Sequence, residues 1–329
     1  MGIGKKPLYM ATAAALLAAV AACGSGEGTG AKTQDGAAKA PRTSISAVLT
    51  ALNSDYWHMV ESGIRKGGKA FDADVSITAT TSESDVTGQI SMIEDQITAG
   101  AHALIIAPAD TKAILPVLRK ARDKNIKVVL IDMDLDPQNR SLRASFIGTS
   151  EYQAGQEVGK YVVEHFKPTE IAIIRGLAGI PAHDARANGM RDVVVRSGFA
   201  VVTEQPADSE RGKAVNVAEN ILESSPNVKL IYATNDEMAL GAYQAVEGKK
   251  RRNDVFVIGF DGSPDAVKSI KDGKLGATLA QQPVQMGYLA VEALTRIAAG
   301  ALVESEINTP TKMVDKANVG EFEKELSAQ

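Results

Sequence analysis

Cysteine is nearly missing from this chain, which has one, Cys23, among 329 residues. A single thiol excludes an internal disulfide framework and any cysteine-rich metal site. Neither sign of charge dominates: 36 Lys and Arg face 40 Asp and Glu, for a net charge of −4. The basic footprint of a nucleic-acid binder is therefore lacking, and no nucleic acid is expected as a partner. Aromatic residues make up 5% of the chain, with Trp57 the only tryptophan. Four histidines, His58, His102, His165 and His183, lack the spacing of a metal pair, so no metal is expected. Hydrolase and zinc motifs of the GxSxG and HExxH kinds do not occur, and no GxGxxG follows a strand, so neither an enzyme nor a cofactor is expected. Gly63 to Lys69 imitates most of a phosphate loop, but Ala70 stands where a Mg²⁺-binding hydroxyl is needed, and the run lies in a helical pattern. No apolar stretch reaches the roughly 20 residues of a membrane-spanning helix.

What is there begins with an export signal. Lys5 and Lys6 precede an apolar stretch from Leu8 to Ala22 that is too short to span a bilayer, and Val20-Ala21-Ala22-Cys23 resembles the bacterial lipobox. Residues 1–22 are expected to be a lipoprotein signal peptide. Cys23 would be the lipidated N-terminus and 23–42 a Gly/Ala-rich flexible tether, giving an exported protein anchored to the membrane by lipid. Cleavage would remove Lys5 and Lys6 and move the net charge from −4 to −6.

From residue 43 short β-rich runs alternate with longer helical patterns, which predicts an α/β chain with parallel sheets. Strands are expected at 44–50, 74–79, 102–107, 127–131, 144–148, 170–174, 200–204, 228–233, 254–260 and 275–280. Helices lie between them; in 85–99, Val86, Ile90, Ile93 and Ile97 form one apolar face. Residues 81–110 echo 207–236 without gaps, which suits two similar Rossmann-like lobes with a cleft between them.

Ligands of open α/β sheets bind beyond the carboxyl ends of the strands. There the chain places Ser54, Asp55, Tyr56 and Trp57, then Asp132 and Met133, then Asn235, then Asp261 and finally Gln281, with His183 as a polar loop residue. Carboxylates and amides grip neighbouring hydroxyls in pairs while aromatic rings cover C–H faces, an outline suited to a sugar or polyol. Asp and Asn also cap helices that follow strands, and Tyr56 and Trp57 also suit a hydrophobic anchor at a helix start.

LNSDYW at 52–57, QPAD at 205–208, NDEMALGA at 235–242, GFDGSPDA at 259–266 and DGKLGATLAQQP at 272–283 resemble the ribose-type periplasmic sugar-binding proteins of ABC importers. The resemblance covers roughly 43–315. It implies a periplasmic binding protein-like fold of two lobes, 43–147 plus 282–311 and 148–281 plus 312–329, joined by a three-strand hinge. It also implies capture of a small carbohydrate or polyol by hinge closure and delivery to an ABC permease by a monomer. Carried over by position, Ser54, Tyr56, Trp57 and Asp132 line one wall, Asp184, Asn235 and Asp261 the other, and Gln281 lies near the hinge. Two departures stand out: Met133 and Asp184 fall where ribose binders carry arginines, and Arg186 reads as a helix-surface residue. Asp55, Asp132, Asp134, Asp184 and Asp261 make the expected cleft rich in acceptors. The alternative within the same fold is a sensor for chemotaxis or quorum signalling. A lac-repressor-type regulator would need a helix-turn-helix where the export signal stands.

Overall fold

The computed structural model describes residues 42–178 and 180–327. The expected signal peptide, Cys23 and nearly all of the expected tether lie outside the described residues. In chain order come β1 (Ser44–Leu49), α1 (Asp55–Ala70), β2 (Asp74–Ala79), α2 (Val86–Thr98), β3 (Ala103–Ile106), α3 (Leu115–Asp123), β4 (Lys127–Ile131) and β5 (Ser145–Gly148). The chain continues with α4 (Glu151–His165), β6 (Glu170–Arg175), α5 (Pro181–Arg196), β7 (Ala200–Pro206), α6 (Arg211–Ser224), β8 (Val228–Ala233), α7 (Asp236–Gly248), β9 (Phe256–Asp261), α8 (Pro264–Lys271) and β10 (Ala277–Ala280). It ends with α9 (Pro283–Ala298), β11 (Glu306–Asn308), β12 (Lys312–Asp315) and α10 (Val319–Ser327).

The strands form two six-stranded sheets, in the orders β11-β5-β4-β3-β1-β2 and β12-β10-β9-β8-β6-β7. The orders are equivalent: β1 matches β6, β3 matches β8, β4 matches β9. The expected α/β fold of two similar parallel-dominated lobes is thus the observed one, and the sequence echo falls on α2-β3 and α6-β8, which occupy the same place in each sheet. The lobes differ at one edge, where β11 runs parallel to β5 but β12 antiparallel to β10.

Both faces of the inner strands are apolar. Ile45, Ala47 and Leu49 pack with α1 and α9, while Val48, Leu104 and Leu130 pack with α2 and α3, so the runs read as continuous rather than alternating. Ile173 and Tyr232 face α4 and α5, and Ile174 and Ile231 face α6 and α7. The edge strand β2 instead alternates, exposing Asp74, Ser76 and Thr78.

The glycines that imitate a phosphate loop serve packing. A Cβ on Gly63 would lie 2.0 Å from the Val284 carbonyl oxygen of α9, and one on Gly155 of α4 would lie 2.2 Å from the Arg186 carbonyl oxygen of α5. Each lobe thus brings at least one helix pair into backbone contact through glycine. No helix among the described residues is long and apolar enough to cross a membrane.

The chain passes between the sheets three times, at residues 149–150, 281–282 and 309–311. These crossings are tied together: Thr149 Oγ1 donates to Gln281 Oε1 at 2.7 Å, and the Thr309 amide donates to the Gly148 carbonyl at 2.8 Å.

Candidate functional site

The strand ends of both sheets meet over one cavity lined from both lobes. Thr50, Ser54, Tyr56, Trp57, Glu83, Ala109, Asp132 and Met133 line it from the first lobe, and Leu177, Ile180, Ala182, His183, Arg186 and Asp261 from the second.

On the first wall, Ser54 begins α1, whose first turn turns Tyr56 and Trp57 inward; both rings are more than nine-tenths buried. They meet edge to face with centroids 5.1 Å apart. Tyr56 Oη donates to Asp132 Oδ1 at 2.5 Å, and Trp57 Nε1 donates to Glu83 Oε1 at 2.8 Å. Each aromatic is therefore held by a carboxylate, and both pack into the core behind, so the anchoring and lining roles coexist. Gln89 fixes the loop carrying Ala109 by donating to the Ala107 carbonyl and accepting from the Ala109 amide.

Asp132 and Asp261 follow or end the equivalent strands β4 and β9. Both take positive φ, +67° and +127°, a backbone conformation that non-glycine residues rarely hold and that concentrates at functional sites. Burial raises the pKa of both, while Arg186 pulls each back toward ionisation. Burial also raises Glu83.

The second wall corrects the sequence reading. His183 lies not in a loop but in the first turn of α5, which begins at Pro181. Helical spacing then brings Ala182, His183 and Arg186 to one face. Arg186, expected on the surface, is 4% exposed and lines the cavity. Its Nε and Nη2 donate to Glu151 at 2.5 and 2.9 Å, Nη1 donates to the Thr234 carbonyl at 3.0 Å, and its guanidinium lies 3.9 Å above the Phe260 ring. Asp184 turns the other way, pairs with Arg175 at 2.8 Å, and does not join the lining. His183 is held between Thr234 Oγ1 at 2.9 Å and Ser209 Oγ at 3.1 Å; burial, aided by Arg186, pushes its pKa down to about 3, so the ring is neutral at physiological pH.

Three further expected residues stand apart from the lining. Asp55 lies half-buried in the first turn of α1, Asn235 caps α7 by accepting from the Met238 amide at 2.9 Å, and Gln281 donates from Nε2 to Asp261 Oδ1 at 2.8 Å. Asp134 is taken by Arg143 at 2.5 Å and so does not add to the acceptors of the cavity. Glu83, Thr50, Ala109, Leu177 and Ile180 were not singled out by the sequence, though all follow strands: the rule that found Asp132 applies equally after β1, β2, β3 and β6.

A family model described as a periplasmic binding protein domain matches residues 45–302. The chain is 34% identical to the ribose import binding protein of Bacillus subtilis over 82% of this chain and 86% of that one. Solved structures of similar fold include an ABC transporter periplasmic solute-binding protein from Actinobacillus succinogenes with bound D-allose, with a TM-score of 0.81 and 26% identity over 85% of this chain and all of that one. Another is a solute-binding protein from Bacillus halodurans with bound myo-inositol, with a TM-score of 0.80 and 26% identity over 87% of this chain and 99% of that one. These families bind and transport solutes and are not enzymes. The chain belongs to the periplasmic binding proteins of the ribose-binding type.

Proposed function

We propose that this protein captures a sugar or polyol between its lobes and hands it to the permease of an ABC importer. The observation that carries this reading is the cavity itself: two lobes contribute opposed polar groups and two aromatics to one buried space. Ser54, Tyr56, Trp57, Asp132, Met133, His183 and Asp261 are its proposed contacts. Asn235 and Gln281 stand behind them, and Asp55 and Asp184 are released from the set. Ligand bridging both walls stabilises the closed arrangement by its differential contacts, the hinge closure known for periplasmic binding proteins generally. The two lobes, 43–147 plus 282–311 and 148–281 plus 312–329, would move as bodies about the three crossings.

The protein is proposed to work as a monomer, exported and held at the membrane by acyl chains on Cys23. Cys23→Ala should move it from the membrane to the soluble fraction; retention at the membrane would rule out that anchor. A thermal-shift panel of pentoses, hexoses and polyols tests the binding reading, since ligand at 100 times its Kd adds about 2.7 kcal/mol. A raised Tm with at least one member is expected, and a uniformly silent panel would overturn the reading.

A further inference from the structure

Formal charge in the cleft does not balance. Glu83, Asp132 and Asp261 line the cavity, and no lysine does. The one guanidinium that reaches it, Arg186, is already matched by Glu151 through two parallel hydrogen bonds. Its remaining nitrogen donates to the Thr234 carbonyl and comes only to 3.6 Å from Asp261. The histidine on the wall is neutral. Four carboxylates, Asp261 buried and Glu83, Asp132 and Glu151 partly buried, therefore share one cation.

The three lining acids sense one another, since the charge of Asp132 raises both Glu83 and Asp261. One oxygen each of Asp132 and Asp261 is held, by Tyr56 and by Gln281, and the second oxygen of each makes no hydrogen bond among the described residues. A buried excess of negative charge is relieved by a proton or by a cation. A neutral sugar can donate hydroxyls to these oxygens but brings no charge. An ammonium brings three donors and the missing charge. Around these acids the lining is apolar and aromatic: Tyr56, Trp57, Met133, Leu177 and Ile180 suit the C–H faces of a six-membered ring.

We propose that the preferred ligand is an amino-substituted sugar or cyclitol whose ammonium group sits among Glu83, Asp132 and Asp261. This rests on the capture reading given above and narrows its ligand class. The test is isothermal calorimetry on the purified protein at pH 6.5, in two buffers of different ionisation heat. Matched pairs serve as probes: D-glucosamine against D-glucose, D-galactosamine against D-galactose, and scyllo-inosamine against scyllo-inositol. At least one amine is expected to bind tenfold or more tighter than its neutral partner, without net proton uptake. N-acetylation of that amine should abolish the gain. Glu83→Gln should narrow the gap at least threefold, and Asp132→Asn, which keeps an acceptor for Tyr56, should do the same if the first variant folds poorly. Neutral partners that bind as tightly as the amines, or that draw protons into the site as they bind, would overturn the proposal while leaving sugar capture standing. Silence from amines and neutral partners alike, together with a silent thermal-shift panel, would overturn both.

Discussion

The two walls of the cleft are built at the same positions of the same strand order, yet they solve the problem of a buried carboxylate differently. Asp132 of the first wall has a phenol for a partner, and the cation that favours its charge, Arg186, belongs to the other lobe. Asp261 of the second wall has an amide, with Arg186 of its own lobe at 3.6 Å. Duplicated architecture thus fixes where an acid stands without fixing how its charge is met. The first wall leaves its acid to be satisfied from outside; the second supplies part of the answer itself.

That contrast can be broken most forcefully at Arg186. Arg186→Ala strands Glu151 in the interior, and removing one partner of a buried pair costs about 3–5 kcal/mol, which denaturant unfolding would read. A loss under about 1 kcal/mol would mean that Glu151 is relieved some other way. On the first wall, Asp132→Ala should cost about 1.5–3 kcal/mol of ligand affinity by calorimetry, the range for hydrogen bonds to charged groups. Asp132→Asn sharpens the comparison in the free protein. The folded pKa of Asp132 is raised, so its proton-linked stability is present below the unfolded value near 4 and is lost as pH rises. The Asn variant should therefore be more stable than the parent at pH 7, with the gap closing below pH 4.

His183 tests the second wall in the opposite sense. Its folded pKa, about 3, lies below the unfolded 6.5, so stability is complete above pH 6.5 and falls as acid protonates the unfolded chain. Relative to His183→Asn, the parent should lose about 1.4 kcal/mol per pH unit below that point, or roughly 2 kcal/mol by pH 5. Equal pH slopes would show the ring to be freely protonated. The smallest expected difference is between the glycine-packed helix pairs. Gly63→Ala and Gly155→Ala should each destabilise by about 1–3 kcal/mol, within a few tenths of each other, if the two pairs are equivalent. Unequal losses would show that the lobes are not mechanically alike.

The fold was legible because its inner strands are uninterrupted apolar runs between periodic segments, and predicted and observed strands differ by two residues or fewer at each end. The exceptions are β11 and β12. EIN and KMVD are three and four residues long and mixed in character, so nothing local marks them; they form because the crossing at 309–311 lays them against β5 and β10. In the site, Asp132 and Asp261 were readable from their place after strands. Glu83 was not, because it sits in a Ser/Thr-rich loop and gains its environment from Trp57, Asp132 and the opposite lobe, all distant in sequence. Arg186 was misplaced for a one-dimensional reason: reading His183 as a loop residue loses the helical phase that turns residues 182, 183 and 186 inward and 184 outward.

Gln281 belongs to a crossing segment, accepts from Thr149 of another crossing, and donates to Asp261 in the cavity. One side chain is thereby part of the joint and the support of a residue on the binding surface. A ligand that polarises Asp261 changes how stiffly the joint turns as well as how deeply the ligand is held. Association rate and equilibrium affinity will accordingly not vary independently here: substitutions at position 281 should move both, and ligands that differ only in how they meet Asp261 should differ in how fast they are captured.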